Sequence, residues 1–404
     1  MKNNEVVITG IGLVSSLGEG REANLNALNT DPVPSVIDNE RFAPYPVHPL
    51  PEIDWSTQIA KRGDLRQMDG WQRLGVHTAG LALDDAGLKG DETLCGTMDM
   101  IVAAAGGERD QEVDEAILEA ALSRNDRDVL LNEKLTTELR PTLFLAQLSN
   151  LMAGNISIVH KVTGSSRTFM GEEGSGISAV EHAVARIRSG QSTHALVGGA
   201  YYTESLDFLL TFEFGQYLHQ GQWKPLWQRQ SDPGGGLILG SGSAFLVLEE
   251  RSHADARGAN KYAAIEEVVS GQAQRHSGSY DASLGQLFGR ISDGHDIDLL
   301  ITGASGSDLA TKAELQVLDK VEAKAVRALS SATGHLKEAQ FPFAVAAAAL
   351  AIHQNKCFPE FSPAEESAYD GPVSSAIATT VGYHRAEGAA RISKPGSQRK
   401  RSDP

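Results

Sequence analysis

Two adjacent glutamates, Glu172 and Glu173, occupy a position where an enzyme could keep a nucleophile. They fall at a bend in RTFMGEEGSGISAVEHAVARIRSG (residues 167–190), a pattern that predicts a strand end, a tight turn and an amphipathic helix. A helix N-terminus lowers the pKa of a thiol, and its free N–H groups can stabilise an oxyanion. The sequence supplies carboxylates there instead, and a carboxylate at neutral pH is a poor acyl acceptor.

Other chemically capable residues give little support for a second site. The two cysteines, Cys95 and Cys357, are too few for a disulfide framework, and we interpret both as packing residues. The twelve histidines include no pair with the spacing of HExxH or of a zinc finger, so no metal site is expected. A net charge of −16 opposes binding to nucleic acid, because that binding rests largely on Lys and Arg neutralising phosphates.

The composition is that of a globular protein, with 41% apolar and 22% charged residues. The 404 residues could form two or three domains, or one architecture of two similar halves. No apolar run approaches the roughly 18 residues of a membrane span. The N-terminus, MKNNEVVITGIG, enters a strand without a secretion signal, so we expect a cytoplasmic protein with no membrane span.

The segments around the bend alternate between strand and helix patterns, which predicts an α/β fold. Strands are predicted at 6–12, 100–105, 194–200, 234–250 and 299–303, and helices at 68–86, after the two glutamates up to residue 190, and at 342–354. The last helix is apolar nearly all round and should be buried between layers. VVITG at 6–10 and LLITG at 299–303 are alike, which hints at a duplicated architecture.

Two further segments differ from this pattern. Residues 108–140 are rich in acids and arginines, which predicts exposed helices with a solvated charged face. Residues 201–228 are unusually aromatic, which is typical of a core or subunit interface, or of the lining of a ligand tunnel.

A series of motifs in chain order resembles the β-ketoacyl-acyl-carrier-protein synthases. They are VVITGIGLVSSLG, the helix start at 66–75, GSSRTFMGEEGSG, LVGGA, GLILGSGSAFLVLEE, KAE at 312–314 and ATGHL at 332–336. The resemblance runs over nearly the whole chain. It implies an α/β, thiolase-like five-layer αβαβα sandwich of two similar halves, here 1–250 and 251–393, followed by a flexible basic tail at 394–404.

In that family a Cys at the bend, within 171–175 here, accepts the acyl group, and two His residues stabilise the enolate and oxyanion. Carried over by motif, the Cys position falls on Glu173, the first His position on Gly303, and the second His is kept as His335. The Lys that usually precedes the second His is Ser330, and the glycine-rich gate loop keeps an aromatic residue as Tyr383. The mixed anhydride of a carboxylate is hydrolytically fragile, so the resemblance implies a chain that has lost condensation.

The resemblance extends to chain-length-factor subunits, which keep the fold, lack the nucleophile and pair with an active synthase. We expect that role in fatty acid or polyketide synthesis, with Phe208 and Phe212 at the acyl tunnel or the subunit boundary. The segment FAPYPVHPLPEIDW also resembles the sequences of paired synthases from very-long-chain acyl clusters that serve lipid A. The implied partners are an active synthase in a heterodimer, or a second copy in a homodimer, together with acyl carrier protein. No cofactor is implied.

Family members dock acidic carrier proteins through basic residues near the helix that starts here at KRGDLRQMD. Lys61, Arg62 and Arg66 are the matching candidates, and a simple solvated helix start is the alternative. Three roles remain open for the chain itself: the silent partner, a working synthase or malonyl-carrier decarboxylase with a non-standard site, and a homodimeric acyl-binding protein. The decarboxylase needs both oxyanion donors, one of which is absent, and Glu173 would repel a malonyl carboxylate.

Overall fold

The computed structural model describes residues 4–107, 109–229, 235–273, 280–318 and 320–397. The strands in these residues are β1 (Val6–Ser15), β2 (Gly18–Glu19), β3 (Val47–His48), β4 (Asp99–Ala103), β5 (Ser166–Phe169), β6 (His194–Tyr201), β7 (Leu239–Gly240), β8 (Gly242–Glu250), β9 (Ala263–Gly271), β10 (Leu299–Thr302), β11 (Ala325–Ala328), β12 (Ser375–Val381) and β13 (Glu387–Ser393). The helices are α1 (Gly20–Leu28), α2 (Arg62–Gln67), α3 (Gly70–Asp85), α4 (Glu92–Thr97), α5 (Gln111–Ala121), α6 (Arg127–Thr137), α7 (Leu143–Ala146), α8 (Asn150–His160), α9 (Glu173–Arg188), α10 (Leu206–Phe214), α11 (Arg251–Ala256), α12 (Tyr280–Ser292), α13 (Asp308–Leu318), α14 (Ser330–Thr333) and α15 (Gln340–Gln354).

The strands divide into two halves of five, which have the same internal strand order and are joined in one hydrogen-bonded path, β11-β10-β12-β13-β9-β1-β8-β6-β4-β5. In the first half β5, β4 and β6 are parallel, and β8 and β1 are added antiparallel. In the second half β11, β10 and β12 are parallel, and β13 and β9 are added antiparallel. The halves meet where β1 pairs with β9. The predicted duplication is therefore present.

The sequence likeness that hinted at this duplication pairs the wrong strands. VVITG lies on β1 and LLITG on β10, whereas the counterpart of β1 in the second half is β9, the inner strand of its arrangement. The resemblance between the two pentapeptides reflects a shared requirement for buried, β-branched residues, because both strands are completely buried.

Helices fill three layers around the two sheet halves, which confirms the predicted αβαβα sandwich. In the middle layer α9 and α15 share one apolar core with both halves, through residues such as Ile177 and Phe343. On the outer face of the first half, α3 and α8 pack through Leu74 and Ile156. On the outer face of the second half, α12 and α13 form a separate core. Burial of α15 on all sides agrees with its nearly uniform apolar sequence.

The glycines in VVITGIG serve packing rather than strand termination. The strand predicted to close at residue 12 continues to Ser15. A Cβ at Gly12 would overlap the carbonyl oxygen of Thr78, and one at Gly10 would overlap that of Ala82. Helix α3 therefore rests directly on the backbone of β1, at a distance that a side chain on either glycine would prevent.

The chain remains attached to the body just beyond β13. The N–H of Lys394 donates to Ser374 O at 3.1 Å, and the N–H of Gly396 donates to a carboxylate oxygen of Glu5 at 2.7 Å. Residues 394–397, the first part of the tail expected to be flexible, are thus held by hydrogen bonds. The rest of that tail, 398–404, lies outside the described residues.

Candidate functional site

The bend is built by unusual backbone angles between β5 and α9. Gly171 has φ +130°, and Glu172 has φ +58° and ψ −137°, a region that residues with a side chain seldom adopt. Glu172 is the N-cap of α9, but its side chain makes no hydrogen bond to the helix N–H groups. The carboxylate of Glu172 is therefore directed to another partner.

Glu173 is fully buried at the first position of α9. Its Oε1 lies 2.5 Å from Nε2 of His335 and 3.4 Å from the backbone N of Tyr383. Burial raises the pKa of Glu173, but the hydrogen bond and charge of His335 lower it more, and the net direction is downward. Glu173 is thus held as a carboxylate, which only accepts, so Nε2 of His335 carries the proton and donates.

His335 is positioned by its own backbone. Its N–H donates to Ile238 O at 2.8 Å, and its carbonyl accepts from the N–H of Gly240 at 3.1 Å. The preceding Gly334, at φ +69°, sits so close to Gly240 that a Cβ there would lie 2.8 Å from the Gly240 nitrogen. These contacts fix the imidazole toward the bend, so the structure brings Glu173 and His335 together as one buried pair.

Gly303 directly follows strand β10 in the second half of the sheet, and it cannot easily accommodate a side chain. A Cβ at residue 303 would lie 2.5 Å from Thr379 O and 2.6 Å from Thr380 Oγ1, both on the neighbouring strand β12. An imidazole at this position would require β12 to move. Ser330, at the position of the family Lys, instead accepts a 3.4 Å hydrogen bond from Gln340.

Two charged residues that received no role from the sequence lie beside the pair. Lys337 Nζ is 4.0 Å from the carboxylate of Glu338, and it lies 5.4 Å and 5.1 Å from the ring centres of Tyr201 and Phe212. Burial acts to lower the pKa of Lys337, yet the charges of Glu338 and of the two bend glutamates raise it overall. Burial raises the pKa of Glu338. The sequence signal for Lys337 and Glu338 was HLKEAQ, where two charged residues follow the histidine after a single leucine.

Of the three predicted gate and tunnel residues, two touch each other. The rings of Tyr383 and Phe212 are 5.1 Å apart, whereas Phe208 packs against Tyr201, at 6.2 Å. The hydroxyl of Tyr383 donates to Glu172 Oε1 at 2.6 Å. Burial, together with this hydrogen bond and the nearby carboxylates, raises the pKa of Tyr383.

The aromatic segment 201–228 divides between core and surface. Tyr201 and Phe212 are buried, while Phe208 is half-buried. Leu206, Leu210 and Phe214 are 56%, 51% and 81% exposed. These three residues follow one another at four-residue spacing and so lie on one face of α10.

The three basic residues proposed for carrier docking lie on one short helix or at its N-cap. Lys61 is the N-cap of α2, and Arg62 and Arg66 lie on this helix; all three are exposed. Within the parts of the chain that the structure describes, none of them forms an ion pair.

Neither cysteine takes part in the site. Cys95 lies on α4 in the outer core, where its Sγ donates to Leu88 O at 3.3 Å. Cys357 is buried in the central core, and both thiols are free. Burial raises the pKa of each thiol, which disfavours the reactive thiolate. Among the described residues no group of three or more His, Cys, Asp or Glu side chains could hold a metal ion.

The arrangement at the bend can neutralise and hold charge. The imidazole proton that could stabilise an oxyanion is donated to Glu173, and the Glu173 carboxylate is buried behind Tyr383.

Comparison with known proteins identifies the family. Residues 3–254 match the family model of the β-ketoacyl synthase N-terminal domain. The chain belongs to the β-ketoacyl synthase family. It is similar to 3-oxoacyl-[acyl-carrier-protein] synthase 2 of Vibrio harveyi, with 28% identity over 66% of this chain and 62% of that protein. The matched part therefore spans less than two thirds of this relative.

Two other known proteins match this chain over a larger share of its length and of their own. The tetracenomycin polyketide synthase ketoacyl synthase beta subunit of Streptomyces glaucescens is 28% identical over 86% of this chain and 85% of its own length. A solved structure of the ishigamide ketosynthase/chain length factor superposes with a TM-score of 0.77 at 21% identity, over 98% of this chain and 100% of that one. At this identity the structural likeness establishes the fold. In the described parts of the chain, no helix combines the length and apolar character needed to cross a bilayer.

Proposed function

We propose that this β-ketoacyl synthase homologue is a non-condensing, chain-length-factor-like partner of an active synthase. The observation that carries the proposal is the buried pair of Glu173 and His335, 2.5 Å apart at the bend. The relatives include a polyketide ketoacyl synthase beta subunit and a ketosynthase/chain length factor structure, which supports the same role. The pathway would be fatty acid synthesis, including the very-long-chain acyl groups of lipid A, or polyketide synthesis.

The buried pair opposes acyl transfer for two reasons. The Glu173 carboxylate is stabilised by His335 and by its place at a helix N-terminus, both of which lower its nucleophilicity. An acyl group on Glu173 would also remove the negative charge that His335 and Lys337 now face. The same pair opposes malonyl decarboxylation, since the imidazole donor is engaged and Gly303 offers no second one.

The surface of the chain offers features suited to a partner subunit. The face of α10 with Leu206, Leu210 and Phe214 is apolar and exposed. Strand β5 lies at the end of the sheet path, so one edge of its backbone pairs with no described strand. An exposed apolar stripe and an open strand edge are each typical of a subunit contact. We propose that an active synthase covers this face, and that acyl carrier protein meets Lys61, Arg62 and Arg66.

Activity of the purified chain alone tests the loss of catalysis. The chain is mixed with malonyl- and acyl-loaded carrier protein and followed by mass spectrometry and by CO2 release. We expect no acyl adduct, no condensation product and no CO2 above a control without protein. An acyl adduct on any residue, or catalytic CO2 release, would refute the proposal and favour a working enzyme.

Co-expression tests the partner. The chain is co-expressed with a synthase from the same genome that retains the bend cysteine, and the mixed dimer is isolated through a tag on one subunit. We expect a stable 1:1 complex that Leu210→Asp and Phe214→Asp weaken at least ten-fold, because each places a charge in an apolar contact. Leu309→Asp, at an exposed leucine at the start of α13, is the matched control. A chain that forms only homodimers would instead support an acyl-binding protein without a partner.

A further inference from the structure

The turn at 382–386, which joins β12 to β13, lies directly over the bend. It is closed by the N–H of Gly382, which donates to Ala386 O at 2.8 Å. Inside the turn, the ring of Tyr383 packs on Phe212 at 5.1 Å and on Tyr217 at 4.8 Å. The turn also borders a surface cleft of about 440 Å³ between 170–178 and 270–272. The turn thus borders the cleft through Arg385 and Ala386, and it contacts the Glu173–His335 pair through Tyr383.

Both bend glutamates bond to this turn, from different sides. Glu172 Oε1 accepts the Tyr383 hydroxyl at 2.6 Å, and its other oxygen lies 3.9 Å from Nε of Arg385. Glu173 Oε1 accepts the N–H of Tyr383 at 3.4 Å. The same residue of the turn is therefore bonded through its side chain to one glutamate and through its backbone to the next.

The fit between turn and bend is close as well as polar. A Cβ at Gly382 would lie 2.9 Å from Glu173 Oε2, and a Cβ at Gly174 would lie 2.8 Å from Cβ of Ala386. No space remains for either segment to shift toward the other.

The backbone of Glu172 has angles that residues with a side chain seldom adopt. A residue with a side chain at φ +58° and ψ −137° is strained, and such strain persists only where the surroundings compensate. Its carboxylate is at the N-cap of α9 but does not cap the helix, and it bonds to Tyr383 instead.

We infer that Glu172 and Glu173 act as an internal clasp that holds the 382–386 turn closed over the bend. The hydroxyl of Tyr383 on Glu172 is its outer contact, and the Tyr383 N–H on Glu173 its inner one. The inference concerns the mobility of the turn, and it holds whether or not the chain pairs with a synthase.

Hydrogen–deuterium exchange of the full-length chain tests the clasp. Tyr383→Phe removes the hydroxyl but keeps the ring, so we expect amides at 382–386 to exchange at least ten-fold faster, with no change in peptides from β1 and α15. Glu172→Gln keeps an acceptor without the charge and should give a smaller increase. Trypsin cleavage after Arg385, which is half-exposed on the turn, should accelerate in the same order.

Matched controls separate the clasp from a general loss of stability. Tyr369→Phe removes a hydroxyl that donates to Pro372 O at 3.2 Å, and Glu365→Gln alters an acceptor of the Gln228 amide at 3.2 Å, both away from the bend. Neither control should change exchange at 382–386. Unchanged exchange in that turn for both Tyr383→Phe and Glu172→Gln would overturn the inference. If Tyr383→Phe does not fold, Glu172→Gln alone decides between the two outcomes.

Discussion

The buried carboxyl of Glu314 makes the stability of this protein depend on pH in an unusual direction. Glu314 lies on α13, and its Oε1 accepts hydroxyl hydrogen bonds from Thr302 at 2.6 Å and Thr379 at 2.7 Å, one from β10 and one from β12. Burial raises the pKa of Glu314 to about 7, and the two hydroxyls offset only part of this effect. We propose Glu314→Gln as the perturbation, because the amide keeps an oxygen for both threonines and cannot ionise.

The size of the effect follows from the two pKa values. The folded protein keeps the proton up to about pH 7, whereas the unfolded chain releases it near pH 4.5. Between these values the folded state binds more protons, so the free energy of unfolding falls as the pH rises. At about 1.4 kcal/mol per pH unit, this carboxyl should remove about 2.5 kcal/mol of stability between pH 5 and pH 8.

Urea unfolding at pH 5, 6, 7 and 8 measures this dependence. Other titrating groups cancel in the difference between wild type and Glu314→Gln, so the variant should gain about 2.5 kcal/mol relative to wild type over this range. Glu119→Gln removes a carboxyl from an exposed position on α5 and is the matched control. A constant difference between wild type and Glu314→Gln from pH 5 to pH 8 would refute the reasoning.

Two further predictions concern the buried pair and the packing of β1. His335→Ala leaves the buried carboxylate of Glu173 with only the longer hydrogen bond from the Tyr383 N–H, so it should lower the free energy of unfolding at pH 7 by about 3–5 kcal/mol, and adding Glu173→Gln should restore part of the loss; no loss in the single variant would contradict the pairing. Gly12→Ala should cost about 1–3 kcal/mol or more, because its Cβ would overlap Thr78 O, while Gly285→Ala, in open space within α12, should add about 0.5–1 kcal/mol. Thermal and urea unfolding measure both, and equal effects at the two glycines would contradict the packing explanation.

Much of the fold could be predicted because its strands and helices carry strong local patterns. The apolar runs around Val6, Leu299 and Phe343 are long and uniform, and all three segments are buried in the structure. The predicted helix at 68–86 is α3, and Gly87, just beyond it, has φ +66° as expected of a glycine that ends a helix. What the patterns did not show was which strands are equivalent, since a buried strand has much the same sequence wherever it lies in the sheet.

The site was predictable in its residue types but not in its contacts. Motif matching placed Glu173 and His335 at related positions, although they are 162 residues apart in the sequence. It gave no role to Lys337 and no partner to Glu172. Those two side chains acquire their roles from groups on other elements, Phe212 on α10 and Tyr383 beyond β12. The sequence around Lys337 or Glu172 does not reveal these neighbours, because they lie on distant segments of the chain.

The sequence by itself determined the class of this protein. The alternation of apolar segments and the acid at the position of the family thiol are local properties, and they need no knowledge of packing. Only the tertiary structure decided what the two acids do. The charge state of a buried carboxylate depends on the groups that surround it, and for Glu173 these are His335 and Tyr383, brought to the bend by the second half of the chain. Folding thus gives one of the two adjacent glutamates a buried hydrogen bond to His335 and the other a bond to the 382–386 turn.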